Sequence, residues 1–85
     1  MKRRILGVNV SNRVEVSDKV QKLLTSYGCS IRTRLGLHEV DETWCGPGGL
    51  ILLELIGDIT EWERLEGELS GIPGVEVRRM DFNNK

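Results

Sequence analysis

Leu50-Ile51-Leu52-Leu53-Glu54-Leu55-Ile56 does most to narrow what this chain can fold into, being apolar throughout except at Glu54. The run is far too short to span a bilayer. Periodicity alone leaves two readings, a strand covered on both faces or a piece of buried helix. Its length and the glycines on either side favour the strand. A second apolar run, Ile5 to Val10, lies in a strand read from Arg4 to Val10: Leu6, Val8 and Val10 fall on one face, Ile5 and Gly7 on the other. A chain of 85 residues has room for one modest core. Two doubly apolar strands therefore demand a layer on each side of the sheet.

The segments around these strands alternate helix and strand. Asn12-Arg13-Val14-Glu15 has the capping-box pattern. Behind it Val16, Val20, Leu23, Leu24 and Tyr27 are spaced along one helical face, and Gly28 is a natural stop. Ser30 to His38 alternates, with Ile31, Thr33, Leu35 and Leu37 on one side and Arg32, Arg34 and Gly36 on the other. That pattern predicts a strand whose Ile31–Leu37 side is buried. Glu39 to Gly49 reads as a polar, glycine-rich connection. Asp58-Ile59-Thr60-Glu61 is another capping box, and Thr60 with Glu63 offers a shifted one. Trp62, Leu65 and Leu69 make the second helical stripe, which Pro73-Gly74 ends. Val75 to Phe82 is a last strand, with Val75 and Val77 inward. The order predicts one α+β domain over residues 1–85, a ferredoxin-like βαββαβ sandwich. Its four-stranded antiparallel sheet carries both helices on one face.

That arrangement leaves a face uncovered. Leu6, Val8, Val10, Ile51, Leu53 and Leu55 go to the helices, leaving Ile5, Gly7, Asn9, Leu50, Leu52, Glu54 and Ile56. The second set is too apolar to sit in water, and a second copy related by two-fold symmetry is the simplest cover. Self-association as a dimer or tetramer through the sheet face is thus expected. If the middle hairpin turns near Trp44, Arg34 lies opposite Glu54, with Asn9 on the neighbouring strand. These three are either a charged cross-strand pair with a polar neighbour, or the set that fixes an interface register or holds a small ligand.

Other chemistries are argued against. Twelve lysines and arginines against 13 aspartates and glutamates give a net charge of -1, unlike a dedicated nucleic-acid binder. The first and third strands lack the aromatics on which RNA-recognition motifs stack bases. No Walker A or G-x-G-x-x-G motif is present, and no serine-histidine-acid set is suggested. Lys2-Arg3-Arg4 is not followed by an export signal, so a cytoplasmic location and reduced thiols at Cys29 and Cys45 are expected. Trp44-Cys45-Gly46-Pro47-Gly48 copies the start of the thioredoxin motif, but Gly48 stands where the resolving cysteine belongs. Neither catalysis nor a cofactor is expected, nor direct contact with nucleic acid or membrane.

His38 and Cys45, with Asp41 or Glu42 nearby, are weak metal-ligand candidates. They resemble the ACT-like C-terminal domain of nickel-responsive repressors, which binds metal at an interface. That family has an alternating histidine pair; here Gly36 stands two residues before the one histidine.

A wider resemblance runs through Gly7-Val8-Asn9-Val10-Ser11-Asn12-Arg13, the Val20-x-x-Leu23-Leu24 helix and Ile31-x-x-Arg34-Leu35-Gly36-Leu37. It continues in Leu65-x-Gly67-x-Leu69-x-x-Ile72-Pro73-Gly74-Val75-x-Val77. Together these resemble the small ACT-like proteins regarded as regulators of the iron-only hydrogenase system. The resemblance implies an ACT-like fold, assembly as dimers or higher oligomers, and a stand-alone regulatory or ligand-sensing role, with a small molecule or a partner regulatory protein as the other party. Arg13, Arg34, Gly36, Gly67 and Gly74 match its recurring pattern. The hairpin at Cys45 to Gly49 departs from it in being so glycine-rich. The glycine through which amino-acid-binding ACT domains approach their ligand, at the first strand–helix junction, is also missing. The alternatives are a structural oligomeric adaptor with no ligand, and a metal-responsive module using His38 and Cys45.

Overall fold

The computed structural model describes residues 2–11, 13–40 and 45–83, with side chains for all of these except 37–40 and 45–48. Its elements run β1 (Lys2–Val10), α1 (Val14–Ser26), β2 (Ile31–Val40), β3 (Cys45–Leu55), α2 (Ile59–Ser70) and β4 (Val75–Asn83), with a short 3-10 turn at Gly28–Ser30. The sheet is antiparallel, in the order β2-β3-β1-β4. This is the ferredoxin-like βαββαβ sandwich expected from the sequence, with the two doubly apolar runs at its centre.

One core lies between the sheet and the helices. Leu6, Val8, Leu53 and Leu55 from the central strands meet Val20 and Leu24 of α1 and Trp62, Leu65 and Leu69 of α2, all of them buried. Those are the stripes that helical spacing picks out. Trp62 belongs to this core, and its indole Nε1 donates to the Ile56 carbonyl at 2.8 Å. Asp58 caps α2, its Oδ1 accepting from the Thr60 amide at 2.8 Å. The first helix starts later than its capping box implies. Arg13 is its N-cap and makes no side-chain cap. Asn12, the expected cap, lies outside the described residues.

The β4 end of the fold is fastened to the β1–α1 junction. Ser11 N–H donates to the Gly74 carbonyl at 2.9 Å. Gly74 has a φ of +93°, and a Cβ there would lie 3.1 Å from Ser11 Oγ and 3.3 Å from Val16 Cγ2. Both the backbone conformation and the close approach require glycine at this position.

The middle hairpin differs from expectation in two ways. First, its strands are longer. The glycine-rich stretch from Cys45 belongs to β3 rather than to a connection, and the link between the strands falls in residues 41–44, outside those described. Second, β2 carries a bulge. Ile31 pairs with Leu55, but the next pair is Thr33 with Glu54, so Arg32 is an extra residue without a partner across the ladder. An extra residue reverses which face every later side chain takes. Ile31 therefore packs on the core, while Thr33 and Leu35 emerge on the open face. Arg34 moves the other way. It lies opposite Leu53, not Glu54, and on the helix side its Nη2 donates to the Gln21 side-chain oxygen of α1. The expected Arg34–Glu54 pair does not form.

Candidate functional site

The candidate site is the sheet face that the helices leave bare. Strand parity and register place Ile5, Gly7 and Asn9 of β1, Leu50, Leu52 and Glu54 of β3, and Thr33 and Leu35 of β2 on that side. The edge strand β4 adds Met80 opposite Ile5 and Phe82 opposite Arg3. Leu35 is 52% exposed, Met80 56% and Phe82 44%, while Leu50 and Ile56 are near 38–39%. A contiguous apolar surface of this kind marks a contact site in a soluble protein.

Its polar groups are arranged in two pairs. Glu54 accepts from Thr33 Oγ1 at 3.0 Å and faces Arg3 Nε at 3.5 Å. Arg78 Nη2 meets Glu76 at 2.9 Å. Among the described residues, the ion pairs on the face set two cations against two carboxylates. Asn9 is exposed on the same face but pairs with Leu50 and Glu76. Four residues along the ladder from Glu54's register, it lies about 13 Å away. The expected island of Asn9, Arg34 and Glu54 is therefore three separate features: Glu54 sits at one end of the face, Asn9 towards the other, and Arg34 behind it.

The remaining sequence candidates are dispersed. Arg13 is exposed at the start of α1 and pairs with Glu15 at 2.8 Å. That guanidinium, together with the Glu15 backbone amide, holds the Glu15 carboxyl below the usual carboxylate range, the amide having the larger effect. Gly36 lies opposite Ile51 on β2. His38 is opposite Gly49, and Cys45 opens β3, but the side chains of both lie outside those described. Trp44 lies outside the described residues altogether. Among the described residues no three His, Cys, Asp or Glu side chains gather as a metal-binding group. Cys29 is an exposed free thiol. No helix among the described residues is long and apolar enough to cross a membrane.

Two features escape the sequence reading. Met80 and Phe82 are the most exposed apolar residues on β4, and the inward assignment of Val75 and Val77 already places them outward by alternation. The other is Arg4, read as part of an N-terminal basic run. It is 7% exposed, on the helix side, with its Cζ 5.6 Å from the centre of the Trp62 ring. Its Nε meets Asp81 Oδ1 at 2.6 Å and its Nη1 meets Glu66 at 3.4 Å. Arg79 joins at 3.7 Å from Glu66. The hydrogen bond from Arg4 holds the Asp81 carboxyl below its usual range. The same alternation that sends Leu6 inward sends Arg4 inward, so parity was the signal.

Comparison with solved structures supports this architecture. The chain is similar to the uncharacterized protein TM1266 of Thermotoga maritima, at 28% identity and a TM-score of 0.82, over 98% of this chain and 100% of the other. A looser likeness, at 14% identity and a TM-score of 0.46, covers 100% of this chain and 97% of CPII. That is a nitrogen regulatory PII-like protein from Thiomonas intermedia K12, bound to ADP, AMP and bicarbonate. At that distance it bears on no functional point. No protein-family model matches the chain, and no curated protein does.

Proposed function

We propose that this protein is a non-catalytic regulatory module that works as a homo-oligomer, paired through the open face of its sheet. The carrying observation is the apolar surface of Leu35, Leu50, Ile56, Met80 and Phe82 beside half-buried Ile5 and Leu52. The choice of a second copy rests on charge. The ion pairs on the face are internally balanced, so an identical face meets no net repulsion and needs no counter-charged partner. Closed two-fold pairing is also the commonest way for such a surface to be buried. The resemblance of the sequence to ACT-like regulators of the iron-only hydrogenase system supports the regulatory part of this reading, with action in the cytoplasm.

Native mass spectrometry at micromolar protein tests it. The expected result is a dimer or tetramer, reduced to monomer by Leu52→Glu, which sets a charge between Gly7 and Leu35. A wild-type monomer at every concentration overturns the reading. An oligomer that retains no small molecule and responds to none identifies the structural adaptor instead. A stoichiometric metal lost on changing His38 or Cys45 identifies the metal-responsive module.

A further inference from the structure

A second concave site lies at the end of the sheet where β1 begins, β3 ends and α2 starts. It is an open pocket of about 340 Å³, within the range of about 300–1,000 Å³ usual for small-molecule sites and near its lower end. Lys2, Arg3 and Arg32 line it, against Glu54 as the acid among its described lining residues. Glu54 is already engaged by Thr33 and Arg3. Neither Lys2 nor Arg32 makes an ion pair among the described residues. The pocket therefore holds an excess of positive charge, with guanidinium donors suited to an oxyanion. Its remaining wall is apolar, with Ile56, Ile59 and the largely buried Trp62.

The bulge in β2 falls at Arg32, one of these three cations. Bulges re-aim side chains and recur beside binding sites. Here the interruption of the ladder coincides with a cation at the pocket mouth, on a chain whose overall charge is -1.

We propose that this pocket binds a small organic anion, a carboxylate or phosphate on an apolar body, with Lys2, Arg3 and Arg32 holding the charged end and Ile56, Ile59 and Trp62 the apolar end. The site adjoins the open face and shares Arg3, Glu54 and Ile56 with it, and an anion-binding monomer or an anion-free oligomer would tell the two proposals apart.

The test is a titration followed on the indole N–H resonance of Trp62 in isotope-labelled full-length protein. Phenyl phosphate and benzoate serve as probes of the two anionic groups, with phenol as the neutral control. The expected result is a saturable shift with at least one of the anions and none with phenol. Whichever anion binds more tightly names the natural head group. Lys2→Ala and Arg32→Ala each weaken binding about tenfold, the worth of one charge-assisted hydrogen bond. Arg32→Lys keeps most of the affinity. Both substitutions are at exposed positions outside the core. An equal response to phenol, no saturable response to either anion, or unchanged affinity in the Lys2→Ala, Arg32→Ala double variant overturns the proposal.

Discussion

The two faces of this sheet are made by the same four strands, yet they end in different states. On one, Leu6, Val8 and Leu53 are fully buried beneath two helices. On the other, Ile5 and Leu52 are half-buried and Leu35 stands mostly exposed. Along β1 and β3 the covered face carries Leu6, Val8, Val10, Ile51, Leu53 and Leu55, and the bare face carries Ile5, Leu50 and Leu52 beside Gly7, Asn9 and Glu54. An alternating or continuous hydrophobic pattern thus reports that a face needs covering, without saying whether the cover comes from the same chain.

Substitution at adjacent residues of β3 puts the largest test on this contrast. Leu53→Ala opens a cavity in the helix-covered core and is expected to cost about 2–5 kcal/mol in urea unfolding. Leu52→Ala, one residue along on the bare face, is expected to cost about 1 kcal/mol or less when measured on the monomer. Equal costs would mean that the two faces are equally packed within one chain.

The next test concerns the ions on the covered side. Arg4→Ala removes charged hydrogen bonds to Asp81 and Glu66 and a contact with Trp62. A loss of about 1.5–3 kcal/mol is expected by chemical denaturation. The cost stays below that of a fully buried pair because Asp81 is 49% exposed and water can take up the freed carboxylate. The same pair gives a pH dependence. With its folded pKa lowered mainly by the Arg4 hydrogen bond, Asp81 adds stability above its unfolded pKa, and that increment is lost as pH falls through the lower folded value. Thermal melts carried from neutral pH down through the carboxylate range should show the loss, and Asp81→Asn should flatten that part of the slope. A slope unchanged by Asp81→Asn would assign it to other carboxylates.

The smallest effect is the most diagnostic of register. Arg34→Ala should alter stability by no more than about 0.5 kcal/mol and leave the oligomer mass unchanged, since Arg34 is exposed on the helix side beside Gln21. Dissociation of the oligomer by this change would place Arg34 on the open face, and β2 without its bulge.

Most of the fold was legible because its signals are local and periodic. Helical stripes at Val16–Leu24 and Trp62–Leu69, a cap at Asp58 and turn residues at Pro73-Gly74 each act over a few residues, and each is where the spacing puts it. The open face was legible for β1 and β3 by the same alternation. What failed was the facing of β2. Ile31, Thr33 and Leu35 alternate without a break in the sequence, while the ladder breaks between the first two. Nothing in the residue types announces that break, because the bulge is a property of how two strands pair. The reading of Arg4 failed for a different reason. The sequence shows it only as part of a basic run, whereas Asp81 and Glu66, far along the chain, supply the partners that allow burial.

The extra residue at position 32 gives β2 something like a reading frame. Deleting the codon for Thr33 would leave the gene in frame but put the rest of the strand out of frame with its sheet. With the bulge kept at Arg32, Leu35 would turn towards the helices, and Arg34 would turn outward opposite Glu54, where the open face now carries Thr33. A lineage could thus exchange an apolar edge for a charged one, altering what the face will accept, without a single amino-acid replacement.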